Sequence, residues 1–316
     1  MTPSDSQGAR LALQTPFDHR SVRLVRRHRD ARSSELRVNV NSSKRTVRPL
    51  RDTKFRIILK NSLPIATIDD WFALAPPKDG LSQWVDGRSA KESAKAWLNA
   101  KGGMPLEIAA LLSFRADIGP LTVERVEPEC LLAFDDHRGP RNADIAIWAQ
   151  DANGPLAITV EAKADEPYDR LVADVFDASM ETLLEKVNSK ALTRVADLSR
   201  CLFGARRGEQ AHVMALRYQL MTATAGTLAL ARSMNATRGV VIVHEIISAS
   251  CMQAKLDVNA HDWKRFLNRI SGGTVTDVQD GVLYGPFTVP GAPLFDEPAT
   301  LYFGKAVRRL PRDAAR

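Results

Sequence analysis

Asp144, Glu161 and Lys163 are the residues of this 316-residue chain whose types and spacing can do chemistry. Glu161 and Lys163 flank Ala162 at the end of the apolar run Ala157-Ile158-Thr159-Val160. Side chains of a strand alternate between faces, so the two charges point to the same side where a sheet ends. Asp144 opens the preceding strand. If the two strands form an antiparallel hairpin across the turn at Asn153-Gly154, the start of one lies beside the end of the other and the three side chains converge. Two carboxylates, joined by a backbone carbonyl such as that of Ala162, are hard oxygen ligands for Mg²⁺ or Mn²⁺, which polarises a phosphoryl oxygen. A lysine beside them can orient or help deprotonate the attacking water and can offset the charge gathered in the transition state. The set therefore predicts phosphodiester hydrolysis.

The bare pattern Asp/Glu-x-Lys is common, and it occurs three times here. Asp52-Thr53-Lys54 lies beside a basic segment and Asp262-Trp263-Lys264 opens an amphipathic helix, so both read as solvated charges. Only Glu161-Ala162-Lys163 caps a strand whose predecessor begins with an acid.

The elements that position this set follow from periodicity and punctuation. Ser89 and Glu92 have capping-box spacing ahead of an Ala-rich helix that Gly102-Gly103 stops. A second helix is predicted from Pro105 through Leu112. Strands are predicted over Leu121 to Phe134, Ala143 to Trp148 and Leu156 to Lys163. The period then turns helical over Met180 to Val187, over Lys190 to Phe203 behind a Ser189 cap, and over one long segment from Ala211 to Met234. Gly239 to Ile247 reads as a buried strand because Val240 to Val243 are uninterruptedly apolar. Trp263, Phe266, Leu267 and Ile270 mark one face of a helix, and short strands are expected near Val282 to Val289 and Thr300 to Val307. The order gives an α/β fold with a central mixed sheet flanked by helices. Its core spans about 105–247, with peripheral elements over 248–316, in a single domain from residue 53.

Composition narrows the class. The hydrophobic fraction of 44% supplies a sizeable core, and no apolar run is long enough for a membrane span or a secretory signal, so a cytoplasmic protein is expected. Cys130, Cys201 and Cys251 lie far apart, which argues against a zinc site and for reduced, structural thiols. Net charge is +7, but residues 1–60 carry 15 Lys or Arg against 5 Asp or Glu, leaving the rest slightly acidic. Residues 1–52 read as a disordered basic N-terminal arm, attractive to nucleic acid or another polyanion, or an extension that the fold does not use.

Asp144 with Glu161-Ala162-Lys163 resembles the signature of the PD-(D/E)XK nuclease superfamily, although Ala143 stands where that name carries a proline. From Phe55 to Val307 the chain is similar to an uncharacterised bacterial family within it, on Trp71, Gly87-Arg88-Ser89-Ala90 with Trp97, Val160 to Lys163 with Glu166-Pro167, and Arg217-Tyr218-Gln219-Leu220. The resemblance implies a restriction-endonuclease-like core and a divalent-metal-dependent nuclease acting on nucleic acid, DNA before RNA. It also implies Asp144 and Glu161 as ligands, Lys163 as the catalytic lysine, and a homodimer among the assemblies open to it. Members often add a carboxylate to the metal shell. Glu129 and Glu127 are the candidates for that role here, sharing strand parity so that alternation does not choose between them, with Glu107 a further candidate; Asp165, Glu166 and Asp169 crowd the same region. Arg217 and Gln219 are the candidates to face the phosphate from the long helix. The competing readings are a nucleic-acid-binding protein that keeps the fold without turnover and an enzyme on another phosphorylated substrate.

Overall fold

A short hairpin, β1 (Leu59–Lys60) and β2 (Leu63–Pro64), leads the chain into three helices, α1 (Ile68–Leu74), α2 (Ser89–Asn99) and α3 (Leu106–Leu112). The computed structural model describes residues 58–311 apart from 101, 102 and 138, so the expected basic arm, the Asp52 triplet and Gly102 lie outside the described residues. Three strands follow, β3 (Thr122–Leu132), β4 (Arg141–Asp151) and β5 (Gly154–Lys163), then α4 (Val172–Glu185), α5 (Ala191–Phe203), α6 (Gln210–Met214) and α7 (Tyr218–Ser233). β6 (Arg238–Ile247), α8 (Gln253–Ile270), β7 (Leu283–Val289) and β8 (Ala299–Arg309) complete the fold.

Six strands form one mixed sheet in the order β3-β4-β5-β6-β8-β7, with helices packed against it. The β3, β4 and β5 meander is antiparallel, β5, β6 and β8 run parallel, and β7 closes the far side antiparallel. The β4–β5 hairpin pairs Asp151 with Gly154; Gly154 adopts φ +101°, and Asp151 Oδ1 accepts the Asn153 amide at 2.7 Å. Alternation divides the central strands between two cores. Ile158, Val160, Val240 and Ile242 pack with Trp97, Ile108 and Leu111 beneath α1–α3, whereas Ala157, Val241, Val243 and Phe303 pack with Leu198, Leu220 and Phe266 on the opposite face.

Several expectations change. α2 begins at Ser89, but Arg88 is its N-cap; Ser89 Oγ donates to Glu166 at 2.9 Å, and Glu92 accepts the Gly87 amide at 3.0 Å. The first helix after the meander starts at Val172, eight residues before the expected Met180. The single helix expected from Ala211 is two, because Leu216 gives its carbonyl to the Val172 amide and Arg217 bridges to Leu171 instead of continuing the helical ladder. The region after residue 248 is not peripheral: β8 lies inside the sheet between β6 and β7, where Leu301, Tyr302 and Phe303 are buried on both faces.

Candidate functional site

The ladder of β3, β4 and β5 breaks at the level of Asp144. Pro128 faces Ile145 and Cys130 faces Ala143, which sets Glu129 opposite Asp144, and Ile145 faces Val160, which sets Glu161 opposite Asp144 on the other side. Three acidic residues thus occupy one row across three neighbouring strands. Glu129 sits at φ +49°, an uncommon backbone state for a residue with a side chain. Across this level the strand parity inverts: Ile145 and Ile147 belong to the core under α1–α3, whereas Ala143 belongs to the opposite one. Asp144 uses its own carboxylate in place of the ladder, Oδ2 accepting the Ala162 amide at 2.7 Å. The N–H and C=O of one strand residue point to the same neighbour, so the Ala162 carbonyl is also directed towards β4.

Glu161 is buried at 4% exposure and surrounded by donors. Arg141 forms an ion pair with its Oε2, Gln219 donates to Oε1, and Lys163 Nζ stands 3.2 Å from Oε1. Lys163 lies 5.9 Å from the ring centroid of the fully buried Tyr168, whose hydroxyl has no hydrogen-bond partner. Glu129 accepts from Asn142 Nδ2 through its side chain and from Lys60 Nζ through its carbonyl, the latter at 2.6 Å. Burial first, and then the charges of Glu161 and Glu129, hold the Asp144 carboxyl well above its ordinary range. Burial, reinforced by the Glu161 charge, pushes Glu129 up to about 7.

The donor set suits a hard divalent cation. Two carboxylates and a carbonyl are what Mg²⁺ takes while keeping several waters. Two buried amide oxygens at the site, Asn142 Oδ1 and Gln219 Oε1, accept no hydrogen bond. Among the described residues, no three His, Cys, Asp or Glu side chains are placed to hold a metal ion by themselves. Glu129 accordingly stands beside Asp144, engaged by Asn142, without closing a three-carboxylate cluster.

Gln219, from the first turn of α7, reaches Glu161, whereas Arg217 does not join the site. As the extended N-cap residue of that helix, Arg217 bonds Asp262 at 2.6 Å and the Asp169 carbonyl at 2.8 Å. The same contact corrects the solvated reading of Asp262, which is buried. Glu107 lies on the opposite face of the sheet, bound to His244 at 2.7 Å and to Arg308 at 2.7 and 3.1 Å. Asp165 is held by Arg88 and the Met252 amide, and Glu166 by Ser89 and the Ala164 amide.

Arg141 and the pair Glu245–Lys305 are absent from the sequence-based set. Lys163 is the register partner of Glu245 on β6, and Lys305 on β8 stands 3.2 Å from Glu245 and 2.8 Å from Asp280. The signal that singled out Glu161, a charge closing an apolar strand, was present again at Glu245 after Val240 to Val243. Arg141 had no such signal, since regular alternation from Asp144 sets it on the other face.

A family model for a domain of unknown function, DUF6946, matches residues 64–298. No curated protein and no solved structure matches the chain. The match takes in the whole carboxylate row, Lys163 and Gln219, and the chain belongs to the DUF6946 family.

Proposed function

We propose that this protein is a metal-dependent nuclease that hydrolyses phosphodiester bonds of nucleic acid, DNA before RNA. The observation that carries the reading is the meeting of Asp144, Glu161 and the Ala162 backbone at one broken level of the sheet, with Lys163 on the same strand end as Glu161. Asp144, Glu161 and the Ala162 carbonyl would hold Mg²⁺ or Mn²⁺, which when bound polarises the phosphoryl group and acidifies water. The remaining work belongs to the chain. Lys163, 11% exposed and 3.2 Å from Glu161, would orient the attacking water and offset charge on the phosphoryl oxygens. Gln219 fixes one oxygen of Glu161 and Arg141 the other, so the carboxylate presents a set direction. Asp144 is partly exposed.

The test is incubation of the purified chain with labelled single-stranded DNA, double-stranded DNA and RNA in Mg²⁺, Mn²⁺ or EDTA, alongside Lys163→Ala and Asp144→Ala. Cleavage that requires metal and is lost in both variants supports the reading and names the substrate. Nucleic acid bound but uncut, with both variants binding equally, replaces it with a binding module that lacks turnover.

A further inference from the structure

We propose that a second pocket, between β3, β4 and the C-terminal end of α7, is a nucleotide-binding subsite for the substrate strand on one side of the scissile phosphate. The inference rests on the nuclease reading and extends it to how the strand is held. The pocket has a volume of about 490 Å³, and Lys60, Arg125, Trp148 and Arg232 carry its chemistry. Three cations face one carboxylate, Glu127, so the lining favours an anion. Arg125 sits over the Trp148 indole, its Cζ 4.3 Å from the ring centroid, and both side chains remain partly exposed. A cation stacked on an indole offers the broad π surface on which a base of any identity stacks. Arg125 Nε, although buried, donates to no acceptor. Arg232 is exposed on the last turn of α7, its guanidinium 5.0 Å from the Phe295 ring centroid. Together they line one pocket with a cation–indole pair and two further cations, Lys60 and Arg232.

Continuity with the carboxylate row makes this a subsite and not a separate one. Lys60, in the pocket wall, donates to the Glu129 carbonyl at 2.6 Å and reaches Glu127 at 3.5 Å. Trp148 stands on the same strand as Asp144, four residues along, which is about 13 Å at ~3.3 Å per residue. A stacked strand covers that distance in about four nucleotides at ~3.4 Å each. A strand with its scissile phosphate at Asp144 and Glu161 can therefore lay a base on Trp148–Arg125 and a phosphate on Arg232 or Lys60.

The test uses the full chain carrying Lys163→Ala, to prevent cutting, titrated with a fluorescein-labelled oligothymidylate of about ten nucleotides in Mg²⁺. Arg125→Ala and Arg232→Ala should each weaken binding about tenfold, and Arg232→Ala should lower the salt slope by about 0.7. Binding should quench indole fluorescence, and Trp148→Phe, which keeps the packing, should remove most of the quench. In chains with Lys163 intact, the two arginine substitutions should raise KM and leave kcat near the parent value. Oligonucleotide bound and cut, with Arg125→Ala, Arg232→Ala and Trp148→Phe all within twofold of the parent, overturns the subsite and leaves the nuclease reading standing. Binding that weakens as stated in a protein that cuts nothing keeps the subsite and sinks the nuclease reading.

Discussion

Replacing Arg141 by Met tests whether the site is built around a cation. Arg141 is the buried counter-charge of Glu161, its side chain 14% exposed, on a row that also contains Asp144 and Glu129. Removing one partner of a buried ion pair costs about 3–5 kcal/mol, because the other charge stays behind without compensation. Glu161 keeps Lys163 and Gln219, so the lower end, about 3 kcal/mol, applies. In a fold of this size that lowers Tm by about 6–12 °C. A divalent ion supplies the missing positive charge: at a hundred times its Kd it returns about 2.7 kcal/mol, nearly the whole loss. Urea unfolding in EDTA and in saturating Mg²⁺ or Mn²⁺ measures both terms, with Arg141→Lys as the charge-preserving control that loses less than half as much. Metal should rescue Arg141→Met more than it stabilises the parent. A loss in EDTA below about 1 kcal/mol, or a variant that gains nothing from metal, would refute the view of Arg141 as a counter-charge exchangeable with a divalent ion.

Three further outcomes follow from other parts of the fold. A Cβ at Gly239 would meet Thr227 Cγ2 at 2.8 Å and Leu301 Cδ2 at 3.0 Å, beside the 2.6 Å contact between the Thr159 and Thr227 hydroxyls; Gly239→Ala should cost about 1–3 kcal/mol by chemical denaturation. Although burial opposes it, hydrogen bonds from His244 and Arg308 lower the Glu107 carboxyl to about 2. Its folded-state pKa lies below the unfolded one, so the stability it gives is present above about pH 4.5 and is lost as pH falls towards about 2; Glu107→Gln should flatten that limb of the denaturation midpoint against pH. Burial pushes the Cys130 and Cys201 thiols up to about 11 and about 12, whereas Cys251 is partly exposed, so a thiol reagent counted by mass spectrometry should label one site on the native protein and three in denaturant.

The fold was legible where periodicity and burial agree. The strand from Leu156 to Lys163 and the helix bearing Trp263, Phe266, Leu267 and Ile270 stand where their apolar spacing sets them. Boundaries move where a tertiary partner overrides local preference: Ser89 has the spacing of a cap, but its hydroxyl is drawn to Glu166 across the chain. At the site, hairpin logic sets Asp144 opposite Glu161, whereas Gln219, expected to face a phosphate, bonds the Glu161 carboxylate instead. Arg217, two residues earlier in that motif, went elsewhere because the helix starts only after it and its side chain finds the buried Asp262. Alternation gives Arg141 no signal because it is a rule for unbroken ladders, and the break at Asp144 falls between Arg141 and the rest of the strand. Parity could not choose between Glu127 and Glu129; the register does, since Glu129 lies opposite Asp144.

The place of β8 bears on how the chain acquires its shape. The meander of β3, β4 and β5 closes through neighbours in sequence, but the inner flank of β6 waits for a strand that begins more than fifty residues after β6 ends. Loops of that length close slowly, so the antiparallel half of the sheet should assemble first and the parallel half last. Until β8 docks, Val240 to Val243 present an unpaired apolar edge of the kind that recruits other chains. A chain cut ahead of Ala299 would keep every residue of the carboxylate row and still be expected to aggregate, so the last strand in sequence guards the solubility of a site to which it contributes no ligand.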